Sequence, residues 1–198
     1  MMMSQAAVAA PTRTVLAFGD SLTAGYQLGP RDGFAPQLEA ALRATGRDVR
    51  VHNAGVSGDT TAQGRARLAW VLRGMKVKPD LAIVELGAND MLRGQPPATA
   101  RVNLDAILTE LKKQRVPVVL AGMLAAPNLG PAYAREFNAI YPDLARKHDV
   151  ALYPFFMNGV LGGTGLLLGD RIHPTKAGVA VIVRGIAPTV TRALDRLP

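Results

Sequence analysis

Short β-branched runs alternate along this chain with longer segments whose apolar residues recur every three or four positions. Thr14 to Phe18 predicts a first strand. Phe34 to Thr45 places Leu38, Ala41 and Leu42 at helical spacing and stops at Gly46. Val49 to Asn53 predicts a short second strand, and Thr60 to Arg73 a helix with Leu68 and Leu72 four apart. Leu81 to Leu86 follows as a third strand after Pro79. Thr99 to Arg115 sets Val102, Ala106, Leu108 and Leu111 on an apolar side. Pro117 to Ala121 predicts the fourth strand, and Tyr133 to Lys147 a helix stacking Phe137, Ile140 and Leu144. Val150 to Tyr153 is the fifth strand, and Lys176 to Leu194 the final helix. Strict strand–helix alternation with short apolar strands implies a parallel sheet covered on both faces. Right-handed crossovers then build a doubly wound three-layer α/β/α sandwich. Ligands of such sheets bind beyond the carboxyl ends of the strands, so the segments directly after each strand carry the functional information.

Composition narrows the class. The 198 residues suit one domain, 48% of them are hydrophobic and 19% charged, and this excludes a disordered chain. Residues 1–12 read as an N-terminal tail and 13–198 as the single domain. Cysteine is absent, which removes disulfides, thiol nucleophiles and thiolate metal sites. The net charge of +8 raises the question of nucleic acid or an anionic membrane. The densest basic stretch, Arg65 to Lys78, is broken by Leu68, Trp70 and Leu72, and the few aromatics are not interleaved with it as base stacking requires. No nucleic-acid partner is expected. Val116 to Ala134 and Val150 to Gly169 lack charge, but Pro and Gly interrupt both, so they read as buried strands followed by apolar loops. Stable membrane insertion is not expected. Ala6 to Ala10 is too short for a signal-peptide apolar region. A periplasmic or secreted location, with an upstream signal removed, and a cytoplasmic one both stay open.

Four segments hold candidate chemistry. Gly19-Asp20-Ser21-Leu22 after the first strand can present a serine hydroxyl at a sharp turn, although Thr23 stands where a Gly-x-Ser-x-Gly elbow has its second glycine. Ser57-Gly58-Asp59-Thr60 after the second strand places Gly58 just before a helix, where its N–H can face an anion and Asp59 or Thr60 can cap. Gly87-Ala88-Asn89-Asp90 after the third strand offers an uncharged amide donor that can meet an oxyanion; an Asx turn is the plainer use. Asp170-Arg171-Ile172-His173-Pro174 is the most informative. Its three-residue spacing lets one turn bring carboxylate and imidazole together, so that Asp170 accepts Nδ1–H and leaves Nε2 as a base. His52 and His148 have no carboxylate at comparable spacing, and no His-x-x-x-His or His-Glu-x-x-His pattern occurs, so neither a metal nor another cofactor is expected.

Taken together, a Ser after strand one, a Gly after strand two, an Asn after strand three and an Asp-x-x-His-Pro before the last helix resemble the SGNH hydrolase (GDSL esterase/lipase) superfamily. The resemblance covers about residues 13–195. Gly-Asp-Ser-Leu-Thr-Ala-Gly-Tyr, Ser57 to Thr61, Val84 to Asp90, Phe137 to Pro142 and Pro154 to Met157 are similar to the bacterial thioesterase I/lysophospholipase/arylesterase subgroup. The resemblance implies a flavodoxin-like five-stranded parallel sheet in order 2-1-3-4-5. It implies a catalytic Ser21, Asp170 and His173, and an oxyanion hole from Ser21, Gly58 and Asn89. Asp20, Leu22, Leu124, Pro127 and Ile172 are the expected substrate contacts. The implied activity is hydrolysis of aryl or short-to-medium acyl esters through an acyl-enzyme, with thioesters and lysophospholipids in the same range and no cofactor. The partner is then a small-molecule ester. A carbohydrate acetylesterase uses the same catalytic set, and a non-catalytic flavodoxin-like binding module shares the sheet; both readings stay open at this point.

Overall fold

The computed structural model describes residues 12–198; of the expected tail, residues 1–11 lie outside the described residues. Seven helices and five strands follow in the order β1 (Arg13–Gly19), α1 (Ser21–Ala24), α2 (Phe34–Arg43), β2 (Val49–Gly55), α3 (Thr61–Gly74), β3 (Leu81–Glu85), α4 (Ala88–Leu92), α5 (Pro97–Lys113), β4 (Val118–Ala121), α6 (Gly130–His148), β5 (Ala151–Tyr153) and α7 (Lys176–Asp195), among the described residues. A 3-10 turn, Pro127–Leu129, leads into α6. The sheet is all parallel, in order β2-β1-β3-β4-β5, as expected. Among the helices, α2 packs on α7, and α5 packs on both α3 and α6.

The central strands have no polar face. Val15 to Phe18 and Leu81 to Val84 are buried along their whole length, as a sheet covered on both sides requires. Phe34, Leu38 and Leu42 of α2 and Val179, Ile182 and Ile186 of α7 join the same core. Each such side chain contributes roughly 1.5–3 kcal/mol by leaving water. α7 is long and apolar enough to cross a membrane by length and composition, yet Val179, Ile182, Val183, Ile186 and Val190 are buried in this core. The edge strand β2 is blocked locally. Glu39 accepts the Val51 N–H at 2.8 Å and Arg43 Nε donates to the Val49 carbonyl at 2.8 Å, while the two side chains form a 3.1 Å ion pair. These groups therefore take the place of a sixth strand.

Differences from the sequence expectation are local. The apolar face of α5 is Ala100, Leu104, Ile107, Leu108 and Leu111, whereas Val102, expected on that side, is exposed. Two apolar series fit a helix there, and only the position of the sheet selects one. α6 starts at Gly130 and runs through Pro142, and α7 runs through Pro188. Each proline removes one ladder hydrogen bond, and the burial of Phe137, Ile140, Tyr141 and Leu144 around Pro142 outweighs that loss. The short helices α1 and α4 were not expected, because one turn carries no periodicity to read.

Candidate active site

Asp20 directly follows β1 and caps α1, its Oδ1 accepting the Leu22 N–H at 3.0 Å. Ser21 is therefore the first residue of a helix only four residues long, closed by Gly25 in the left-handed region. A first helical residue has no intrahelical acceptor for its N–H. The Ser21 Oγ lies 2.9 Å from His173 Nε2, across 152 residues of chain. His173 sits in the turn before α7, tied by its carbonyl to the Leu168 N–H at 2.8 Å. Asp170 shapes that turn. Its Oδ1 accepts the N–H groups of Ile172 (2.9 Å) and His173 (3.0 Å), and its Oδ2 lies 2.6 Å from His173 Nδ1. The His173 backbone N–H, then its ring, then the Ile172 N–H hold the Asp170 carboxyl down at about 2. An ionised Asp170 accepts Nδ1–H, which leaves the Nε2 lone pair facing the Ser21 hydroxyl, an arrangement able to accept a proton. Tyr26 packs on the imidazole with ring centres 4.3 Å apart and planes tilted by 36°.

The next two segments meet beside Ser21. Val56 N–H bonds the Gly19 carbonyl at 3.0 Å, which lays the Gly58 loop along the end of β1. Gly58 has φ +86°, a conformation that β-carbon residues resist. Thr60 caps α3 with a reciprocal Gln63 contact, so Thr60 rather than Asp59 is the cap. Asp59 instead pairs with Arg67 Nε at 2.5 Å, while the Arg67 Nη atoms donate to the carbonyls of Ala54 (2.8 Å) and Gly19 (2.9 Å). The guanidinium also covers the Phe18 ring at 4.2 Å. One cation thus ties together β1, β2 and the loop that carries Gly58. Asn89, in α4, aims its Nδ2 at the Asp59 carbonyl (2.9 Å) and Asp20 Oδ2 (3.1 Å). Two acceptors facing one end of the amide fix which end is nitrogen.

Ser21, Gly58, Asn89, Asp170 and His173 therefore gather at the carboxyl edge of the sheet, where the switch-point rule places a ligand. The five expected substrate contacts divide. Leu124, Pro127 and Ile172 are exposed at this edge, joined by Val56 and Leu92, and the 124–127 segment docks on α4 through an Ala126 N–H to Met91 Sδ contact of 3.1 Å. Asp20 and Leu22 are buried beneath it, with both Asp20 oxygens engaged by the protein. Sequence reasoning missed Arg67 and Glu85. The one faint signal for Glu85 is a carboxylate in an otherwise apolar strand; Arg67 gives none, because its partners are distant in sequence. Among the described residues no cluster of three or more His, Asp or Glu is arranged to hold a metal. Two cavities among the described residues, of about 560 and 630 Å³, include none of the five gathered residues.

A flavodoxin-like sheet that collects a serine, a glycine, an asparagine and a histidine on its carboxyl edge is the architecture of the SGNH hydrolases. Residues 17–181 match the GDSL-like Lipase/Acylhydrolase family, and the chain belongs to it. It is 38% identical over 181 residues to "Esterase TesA" of Pseudomonas aeruginosa, covering 91% of this chain and 89% of that protein. It is also 38% identical to "Thioesterase 1/protease 1/lysophospholipase L1" of Escherichia coli K12, covering 85% and 78%. Among solved structures, AlinE4, described as an SGNH-hydrolase family esterase, superposes with a TM-score of 0.80 at 50% identity over 94% of this chain and 99% of its own. The protein is an enzyme of the hydrolase class, and its family supports ester hydrolysis.

Proposed function

We propose that the enzyme hydrolyses aryl and short-to-medium acyl esters by acyl transfer through Ser21. The observation that carries this reading is the unbroken line from Ser21 Oγ through the His173 ring to Asp170 Oδ2, at 2.9 and 2.6 Å. As Ser21 Oγ attacks the ester carbonyl carbon, His173 Nε2 takes its proton and Asp170 stabilises the resulting imidazolium. The carbonyl π electrons move onto oxygen, and the backbone N–H groups of Ser21 and Gly58 together with Asn89 Nδ2 meet that oxyanion. His173 returns the proton to the leaving alcohol or thiol as the carbonyl re-forms. Water, activated by the same imidazole, then releases the acid and restores Ser21.

The rim supports an acyl or aryl substrate over a sugar. Val56, Leu92, Leu124 and Ile172 present apolar surface there, which suits a hydrocarbon chain or ring and offers a sugar few partners. The test is hydrolysis of p-nitrophenyl acetate, butyrate, octanoate and palmitate by the wild type and Ser21→Ala. Turnover that peaks at short or medium chains and disappears in the variant is the expected result. Turnover that survives in Ser21→Ala overturns the acyl-enzyme. Preference for acetylated sugars over every aryl ester overturns the substrate class. Asn89→Ala should lower kcat by roughly 10²–10³ with little change in KM.

A further inference from the structure

Beneath the oxyanion side of this site lies a second carboxyl that the mechanism above does not use. Glu85 is the last residue of β3, paired in register with Gly19, and it has no solvent exposure. Its Oε2 accepts the Thr23 hydroxyl at 2.8 Å, and the same carboxyl lies beside the buried Asp20. Oε1 has no hydrogen-bond partner among the described residues. The carboxyl rests against Gly19, where an added Cβ would stand 2.6 Å from Oε2, so no water or larger residue separates it from the serine turn.

We propose that Glu85 is protonated on Oε1 and donates that proton to the Asp20 carboxylate, and that this carboxyl pair is a positioning device for Asn89. Two buried carboxylates side by side would repel each other; one shared proton leaves a single charge. The hydrogen bonds decide where the proton stays. Asp20 accepts from Leu22 N–H and from Asn89 Nδ2, so it remains an acceptor. Glu85 receives the Thr23 hydroxyl on Oε2 and keeps Oε1 free to donate. An Asp20 that became a hydroxyl donor would face the Asn89 amide as donor to donor and release its orientation. Glu85 thus fixes Asn89 with Nδ2 rather than Oδ1 on the Asp20 side, so that an N–H held at rest by Asp20 or the Asp59 carbonyl can be shared with the oxyanion, and it limits the negative charge beneath it. Burial first, then the Asp20 charge, raises the Glu85 carboxyl well above its ordinary range, in agreement with this arrangement. The other ionisable groups around the pair are Tyr141 of α6, which donates to the Leu86 carbonyl, Asp90 of α4, which Thr61 satisfies, Asp59 held by Arg67, and His173. None of them places a cation in direct contact with the pair, and the imidazolium formed during turnover reaches Asp20 only through its field.

The inference rests on the acyl-transfer reading, and its test separates the two. Infrared spectra of the wild type at neutral pH should show the carbonyl stretch of a protonated carboxylic acid, and Glu85→Gln should lose it. Glu85→Leu should lower kcat on a p-nitrophenyl ester by about 10²-fold with KM nearly constant, as the loss of one oxyanion donor does. Glu85→Gln keeps an N–H for Asp20 and should recover most of that loss. Glu85→Leu combined with Asn89→Ala should be no slower than Asn89→Ala alone. Absence of the infrared band overturns the proposal whether or not the leucine variant folds. Additive losses in the double variant, or a Gln variant as slow as the Leu variant, overturn the positioning role. If Ser21→Ala kept wild-type turnover, the acyl-enzyme reading would fall, while the infrared band would still report the shared proton.

Discussion

Two histidines in this protein sit against a carboxylate at the same distance, and only one belongs to the candidate site. His173 Nδ1 lies 2.6 Å from Asp170 at the carboxyl edge of the sheet. His148 Nε2 lies 2.6 Å from Asp105 near the opposite edge, beside the cavity formed by the amino ends of β3, β4 and β5. The second pair is the more buried at the imidazole, and Asp105 also binds Lys147 at 2.8 Å. His148 ends α6, where a positive group complements the helix dipole, and Asp105 of α5 pins that end. It has no hydroxyl opposite its free nitrogen and no ring of N–H donors among the described residues. A histidine–aspartate pair is therefore a fastening as readily as a base. What separates the two is the third partner, Ser21, and the donors that surround it.

Substitutions should sharpen this contrast. Ser21→Ala and His173→Ala should each cost about 10⁶ in kcat, as for another serine hydrolase, whereas His148→Gln should leave steady-state ester turnover nearly unchanged. A large loss in His148→Gln would break the comparison. Asp170→Asn should cost about 10⁴ in kcat, because the amide favours the wrong imidazole tautomer. Asp105→Asn should leave kcat alone. Arg67→Met should destabilise the protein by about 3–5 kcal/mol in denaturant unfolding, because it leaves the buried Asp59 charge unpaired. Its kcat should fall as well, since Asp59 carries the carbonyl that Asn89 faces. Asp105→Ala should cost about 1–3 kcal/mol through the unpaired His148, read by the same unfolding experiment.

The smallest effect is on pH dependence. Asp170 is held at about 2 in the folded state, below its ordinary 3.8, so its contribution is complete above pH 3.8 and lost as pH falls towards 2. Asp105 is lowered by Lys147 first and His148 second and acts in the same direction. Both are partly exposed, so each should shift stability by less than about 1 kcal/mol. Glu85 has the opposite sign. A raised folded-state value means that stability falls as pH rises above the ordinary carboxylate range, and Glu85→Gln should flatten that slope in denaturant titrations.

The strands, the main helices and the parallel architecture were legible because each rests on a local period: Leu81 to Val84 is apolar on both faces, and Phe137, Ile140 and Leu144 recur at helical spacing. Val102 was misplaced because α5 carries more apolar positions than its buried face needs, and the neighbouring sheet chooses among them. Asp170 and His173 were legible as a pair because they lie three positions apart, and one turn brings the Asp170 carboxylate to both the backbone N–H and the ring of His173. Leu22 and Asp20 were expected at the substrate, since the sequence places them beside Ser21, but adjacency does not reveal which way a one-turn helix faces.

By itself, then, the sequence determined the alternation of elements, the four rim segments and the Asp170–His173 turn, all of which depend on contacts within a few residues. Only the tertiary structure decided that His173 reaches Ser21 across 152 residues, that His148 finds Asp105 across 43, that Arg67 joins three segments, and that Glu85 lies against Asp20. Those pairings have no sequence spacing to betray them. They exist because a parallel sheet brings the carboxyl ends of β1, β2 and β3 side by side, and burial then obliges every charge left there to find a partner or a proton.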